Sequence, residues 1–127
     1  PYKGQNAYQN LEYDVAYNHF LQFARTGARK YLDTGIVQAR HQADIDFRHD
    51  SGPQWKHSPR HTTTEAELGH VFLRGLVAHT WLTGDPEGLE TARKLGEWLL
   101  GVVARPSSQG NERQIGWGLY ALTGIYE

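Results

Sequence analysis

The chain has no cysteine and no methionine. Without thiols it forms no disulfide and offers no thiolate to a metal. That absence leaves the compartment open, because many secreted proteins also lack cysteine. An excess of one charge is missing too. Thirteen Lys and Arg stand against 14 Asp and Glu, a formal net charge of -1. Such a balance provides no basic field for nucleic acid or an anionic membrane surface, so neither is expected as a partner. No apolar run approaches the ~18 residues of a membrane span, and no secretory leader is visible.

What is present suits one folded domain: 127 residues, 39% hydrophobic and 21% charged. The chain opens on Pro1 without an initiator methionine. It closes on "WGLYALTGIYE", an apolar helical stretch with no stop signal. The expectation is a single all-helical domain over residues 1–127, cut from a larger protein.

Five segments read as helices, and none reads convincingly as a strand. The first covers about Gln9 to Arg25, with Leu11, Val15, Phe20 and Phe23 on its apolar side. The second covers about Ala28 to Arg48 and is amphipathic: Leu32, Ile36, Ala39, Ala43 and Phe47 recur at spacings of four and three. The third is expected to start after Thr64 and to reach about Leu82. It is apolar nearly all round, which predicts burial on most sides. The fourth starts at Asp85-Pro86, a cap followed by a first-turn proline, and carries a stripe of Leu89, Ala92, Leu95, Leu99 and Val103. The fifth begins near Asn111.

Connections alternate in the same way. "RTGAR" and "LTGDP" read as tight turns, and Thr26-Gly27 matches Thr83-Gly84. "HDSGPQWKHSPRHTTT" and "RPSSQGN" are longer, polar and rich in Gly, Pro and Ser. A repeat of two long helices predicts helical hairpins side by side, too long for the tetratricopeptide unit of about 34 residues. Short turns then lead from buried to exposed helices, and long loops lead back. All long loops should gather at one end, where Tyr8 to Asp14, His49 to His70 and Pro106 to Trp117 meet. Helix N-termini carry free N–H groups there, which favours anionic ligands.

"GHVFLRGLVAHTWLTGDPEGLETARKLGEWL", Gly69 to Leu99, resembles a hairpin of the α/α-toroid carbohydrate-active enzymes, the six-hairpin glycosidase group. "TGARKYLDTGIVQARHQAD", Thr26 to Asp44, is similar but lacks the Asp-Pro. The histidines ahead of the hairpin, ending in Gly69-His70, resemble the toroid domain of exo-rhamnogalacturonan-lyase-like proteins. The resemblance implies an all-α fold of helical hairpins forming part of an (α/α) toroid, with two and a half hairpins of the full six. It implies carbohydrate chemistry only loosely, since this architecture hosts hydrolases, lyases, epimerases and non-enzymes.

Candidate site residues follow from chemistry. Neutral histidine takes a proton near neutral pH, so His57, His61 and His70 are candidate catalytic groups. Glu65 is a secondary candidate, although a carboxylate in a first helical turn is favourable without any function. Thr64 to Glu67 also reads as a capping box, which explains Glu67 structurally. His70 sits among apolar neighbours, where a hydrogen-bonded core histidine is the commoner explanation. His49, Asp50, Trp55, Arg113 and Trp117 are candidate substrate-binding residues. Arg113 offers a bidentate fork to a sugar carboxylate, and Trp55 and Trp117 offer ring faces to sugars. Trp81 and Trp98 read as packing, because aromatics at helical spacing are usually core. Glu12, Asp14 and Glu112 add carboxylates, but sequence gives no separations that would pick a glycosidase pair. No H-E-x-x-H pattern is present and zinc is disfavoured, so no metal or cofactor is expected. Oligo- or polysaccharide is the expected partner. The alternative is a non-catalytic helical module that self-associates, or packs against a catalytic domain or a protein partner.

Overall fold

The structure is a computed structural model that describes residues 13–54, 68–104 and 111–126. Among those residues there are five α-helices: α1 (Val15–Thr26), α2 (Arg29–His41), α3 (Arg74–Thr83), α4 (Glu87–Val103) and α5 (Glu112–Tyr126). The extended pairing among them is one isolated bridge between Phe47 and Gln54. No helix of the described residues is long and apolar enough to cross a membrane. The all-helical reading and the hairpin character both hold.

The two tight turns work by the same device. Gly27 and Gly84 end α1 and α3 with positive φ, 66° and 78°, and donate their N–H groups back into the last helical turn. The threonine ahead of each glycine then accepts the N–H two residues on, Ala28 from Thr26 and Asp85 from Thr83. Asp85 in turn accepts the Glu87 N–H at 3.1 Å and opens α4.

α3 lies at the middle of the domain. It packs against α1 and α2 on one side and α4 and α5 on the other. Leu76, Val77, Ala92, Leu95, Leu99 and Ala121 form the larger core with Val71 and Leu73. Ala16, Phe20 and Ala39 form a smaller one in the first hairpin. Gly35 lets α2 press on the Phe20 ring, and Gly88 lets α4 press on the Leu76 carbonyl. A side chain at either place would separate the hairpin partners.

Four expectations are corrected. The first helix begins at Val15 and not near Gln9, because Tyr13 and Asp14 adopt left-handed backbone and the Asp14 carboxylate caps the helix there. The second helix leaves α-geometry at His41 and continues as a single wide turn, Gln42–Asp46. Its Gln42 amide is buried and donates to the Phe72 carbonyl at 2.6 Å. The third helix begins at Arg74, not after Thr64. Leu68–His70 is a short 3-10 turn, and Val71 to Leu73 follow without helical bonding. The Phe72 carbonyl is spent on Gln42 rather than on a helical ladder, and Val71 and Phe72 point into the core. His70 therefore precedes the helix instead of lying two turns into it. Finally, α3 is not buried all round. Trp81 is 67% exposed, and Leu82 is also exposed.

Candidate functional site

Parts of the three segments expected at one end do come together: Tyr13 meets Trp117 with ring centres 6.0 Å apart, and Arg113 lies over Gly69. Asp14 reaches α3: its Oδ1 and Oδ2 both accept the Gly75 N–H at 3.2 Å. The same Oδ1 accepts the Tyr17 N–H at 3.3 Å, so one carboxylate caps the starts of α1 and α3 together. Reaching both requires left-handed backbone at two successive residues, Tyr13 with φ 56° and Asp14 with φ 50°. Such strain persists only where the surroundings enforce it. Burial pushes the Asp14 carboxyl up to about 6, against the opposing pull of the Gly75, Tyr17 and Arg74 N–H groups and the Arg74 charge. Gly75 has no room for a side chain, since a Cβ there would stand 2.5 Å from Asp14 Oδ1.

This joint aligns a row of aromatic and cationic side chains across α1, α3 and α5. Tyr17, Arg74, Ala78, Trp81 and Gly124 line one small pocket. From there the Arg74 guanidinium lies 4.4 Å from the Tyr120 ring centre and 5.9 Å from that of Tyr17. Arg74 also donates to the Thr123 hydroxyl at 3.1 Å. Tyr120 meets Trp117 edge to face at 5.5 Å, and Trp117 touches Phe72 at 5.2 Å and Tyr13 at 6.0 Å. Beyond it, Glu112, Arg113, Gly116, Trp117 and Tyr120 line an open cleft of ≈450 Å³. The row is therefore continuous from Trp81 to Arg113.

The sequence candidates divide into three groups. Arg113 and Trp117 come together in the cleft. Arg113 also lies over Gly69, its guanidinium 3.1 Å from where a Cβ would be. His70 is buried beside that turn at 4% exposure, which suits a structural imidazole better than one that meets substrate. His49 and Asp50 are exposed on the turn after the wide helical turn. His49 stacks edge-on against Phe47 at 5.0 Å. Asp50 is held below the usual carboxylate range by the Ser51 hydroxyl and Arg48. His49 and Asp50 contact Phe47, Arg48 and Ser51, their neighbours along the chain. Trp55, His57, His61 and Glu65 lie outside the described residues, as do Glu12 and the capping box from Thr64 to Glu67.

No family model, curated protein or solved structure matches the chain.

Sequence reading missed Arg74, Tyr120 and above all Trp81. The signal was available as a stripe. Tyr13 and Tyr17, then Arg74, Ala78 and Trp81, then Arg113, Trp117 and Tyr120 each fall at helical spacings of four and three. Each stripe alone reads as packing. Only the alignment of three helices turns them into one face.

Other charged groups do not join this face. Arg40 pairs with Asp85 at 3.3 Å. Burial and the nearby Asp44 raise the Glu87 carboxyl at the start of α4. His79 is buried against α4, and burial keeps it below the ordinary histidine range. Among the described residues, no three His, Asp or Glu side chains are grouped to hold a metal ion.

Proposed function

We propose that the chain supplies a sugar-binding wall to a carbohydrate-processing protein of the α/α-toroid kind, and that the aromatic row on α1, α3 and α5 is that wall. The observation that carries this reading is Trp81. A tryptophan 67% exposed, set in a pocket with Tyr17 and Arg74, has no packing duty among the described residues that accounts for it. Ring faces stack on the apolar faces of sugars, and the polar edges of Tyr and Trp serve the hydroxyls. Arg74 and Arg113 favour an acidic polysaccharide over a neutral one, because guanidinium groups recognise carboxylates. From Arg113 to Gly124 the row follows α5 for about 16 Å, at the ~1.5 Å rise of a helix, which suits a short oligosaccharide.

The described residues are assigned binding and no chemical step. Asp14 has the raised carboxyl of a general acid, but its oxygens are engaged with the N–H groups of two helices and sealed from solvent. Isothermal titration with an acidic and a matched neutral oligosaccharide tests the reading. Acidic sugar should bind more tightly, and both Trp81→Ala and Trp117→Ala should weaken binding by about 5- to 10-fold, the worth of one stacked ring. Equal affinity in wild type and both variants would remove the wall from the account.

A further inference from the structure

The left-handed turn ahead of α1 has a structural reason at Asp14 that does not extend to Tyr13. Asp14 adopts φ 50° and caps two helices with the carboxylate it brings there. Tyr13 adopts φ 56° and is 59% exposed, so its side chain is no part of the core. Left-handed backbone is costly for a bulky residue, and glycine or asparagine adopts it more readily.

The turn is nonetheless held at Tyr13. Asn18, in the first turn of α1, donates its Nδ2–H to the Tyr13 carbonyl at 2.7 Å, and its backbone N–H donates to the Asp14 carbonyl at 3.1 Å. What the turn delivers is the ring. It reaches from the start of α1 to α5 and stands 6.0 Å from Trp117, the two planes tilted by 49°. At that angle neither ring covers the other's face. Trp117 also lines the open cleft with Arg113, so an exposed phenol stands beside the ring of that cleft.

We infer that Tyr13 is a further sugar-binding residue at the Trp117 cleft, and that Asn18 is the positioning residue that holds it there. The inference rests on the reading of the aromatic row as a sugar wall. The Tyr13 ring adds a second apolar face beside Trp117, and its hydroxyl both donates and accepts. The Asn18 bond is exposed, and such a bond adds little net stability in water. Its effect is direction: it fixes the carbonyl, then the left-handed turn, then the place of the ring. Strain of this kind is kept where a site needs a side chain set before the ligand arrives.

Isothermal titration with an acidic oligosaccharide, urea unfolding and the nitrogen-15 indole signal of Trp117 test this on the full chain. Tyr13→Gly removes the ring and suits the backbone. Its urea midpoint should hold or rise while sugar affinity falls about 5- to 10-fold, as for the loss of one ring face. Tyr13→Phe should keep most of the affinity, and a loss equal to that of Tyr13→Gly would contradict the stacking role. Asn18→Ala should weaken binding about 3-fold and shift the Trp117 signal before any sugar is added, because the neighbouring ring is no longer held. A Tyr13→Gly chain that binds like wild type while Trp117→Ala binds weakly overturns the inference and leaves the wall. A urea midpoint that falls in Tyr13→Gly makes the ring a packing element and overturns it too. So does an Asn18→Ala chain whose affinity or Trp117 signal stays at wild type. Equal binding by wild type and Trp117→Ala removes the wall itself, and Tyr13 with it.

Discussion

The two sides of α5 are built from different materials. One carries Trp117, Tyr120 and Thr123 against Arg74 of α3. The other carries Ile115, Leu119 and Tyr126 beside Leu100 and Val103 of α4. Rings, a guanidinium and hydroxyls make directional contacts and tolerate water, which suits a hydrated ligand. Aliphatic side chains at seam spacing gain only by excluding water, which suits another helix. The contrast teaches that exposed apolar area alone does not identify a partner. What matters is whether polar edges accompany it.

The contrast can be broken hardest at the joint that aligns α1 with α3. Gly75→Ala would set a methyl 2.5 Å from Asp14 Oδ1, 2.7 Å from Ala16 Cβ and 2.9 Å from the Tyr17 nitrogen. Urea unfolding should show a loss of about 3 kcal/mol or more, because a backbone atom cannot step aside. A loss below about 1 kcal/mol would mean that the helices slide freely there.

The next effect is a dependence on pH. The folded Asp14 carboxyl sits at about 6, above its ordinary 3.8, so the folded state holds the proton more tightly than the unfolded chain. Its contribution is therefore fully present below pH 3.8 and is lost as pH rises through about 6. A shift of that size is worth about 3 kcal/mol between the two limits. Asp14→Asn should flatten this part of the stability profile measured by urea unfolding from pH 4 to 7. An unchanged profile would assign the pH dependence to other groups.

Smaller effects separate the two sides directly. Trp81→Ala should change stability by no more than about 0.5 kcal/mol, as expected of an exposed position, while lowering sugar affinity. Leu119→Ser should leave both stability and sugar affinity near wild type, again within about 0.5 kcal/mol. Sugar affinity lost with Leu119 and kept without Trp81 would reverse the assignment of the sides.

The helices were legible in the sequence because capping and periodicity are local. Asp85 and the two Thr-Gly turns stand where they were read. The start of α3 was not legible, because it depends on a long-range bond. The buried Gln42 amide takes the Phe72 carbonyl and keeps Val71 to Leu73 out of a helix that their composition permits. Thr123-Gly124 makes the same point from the other direction. It repeats the turn dipeptide, yet it stays inside α5, where Gly124 is pressed by Arg74 and Thr123 accepts the Arg74 guanidinium. Arg113 and Trp117 stood out in the sequence because their chemistry is suggestive alone, and they line one cleft. Trp81 was misread because its exposure is set by how α1, α3 and α5 lie together, which no single helix records.

The most direct test labels the chain with nitrogen-15 and follows the tryptophan indole N–H signals as an acidic oligosaccharide is added. Trp81 and Trp117 stand on the aromatic row, whereas Trp98 packs against the core from α4 and serves as the internal control. The account predicts that Trp81 and Trp117 shift together, with one affinity, while Trp98 stays still. Titration to saturating sugar with neither of the two moving, or with Trp98 alone responding, would contradict it.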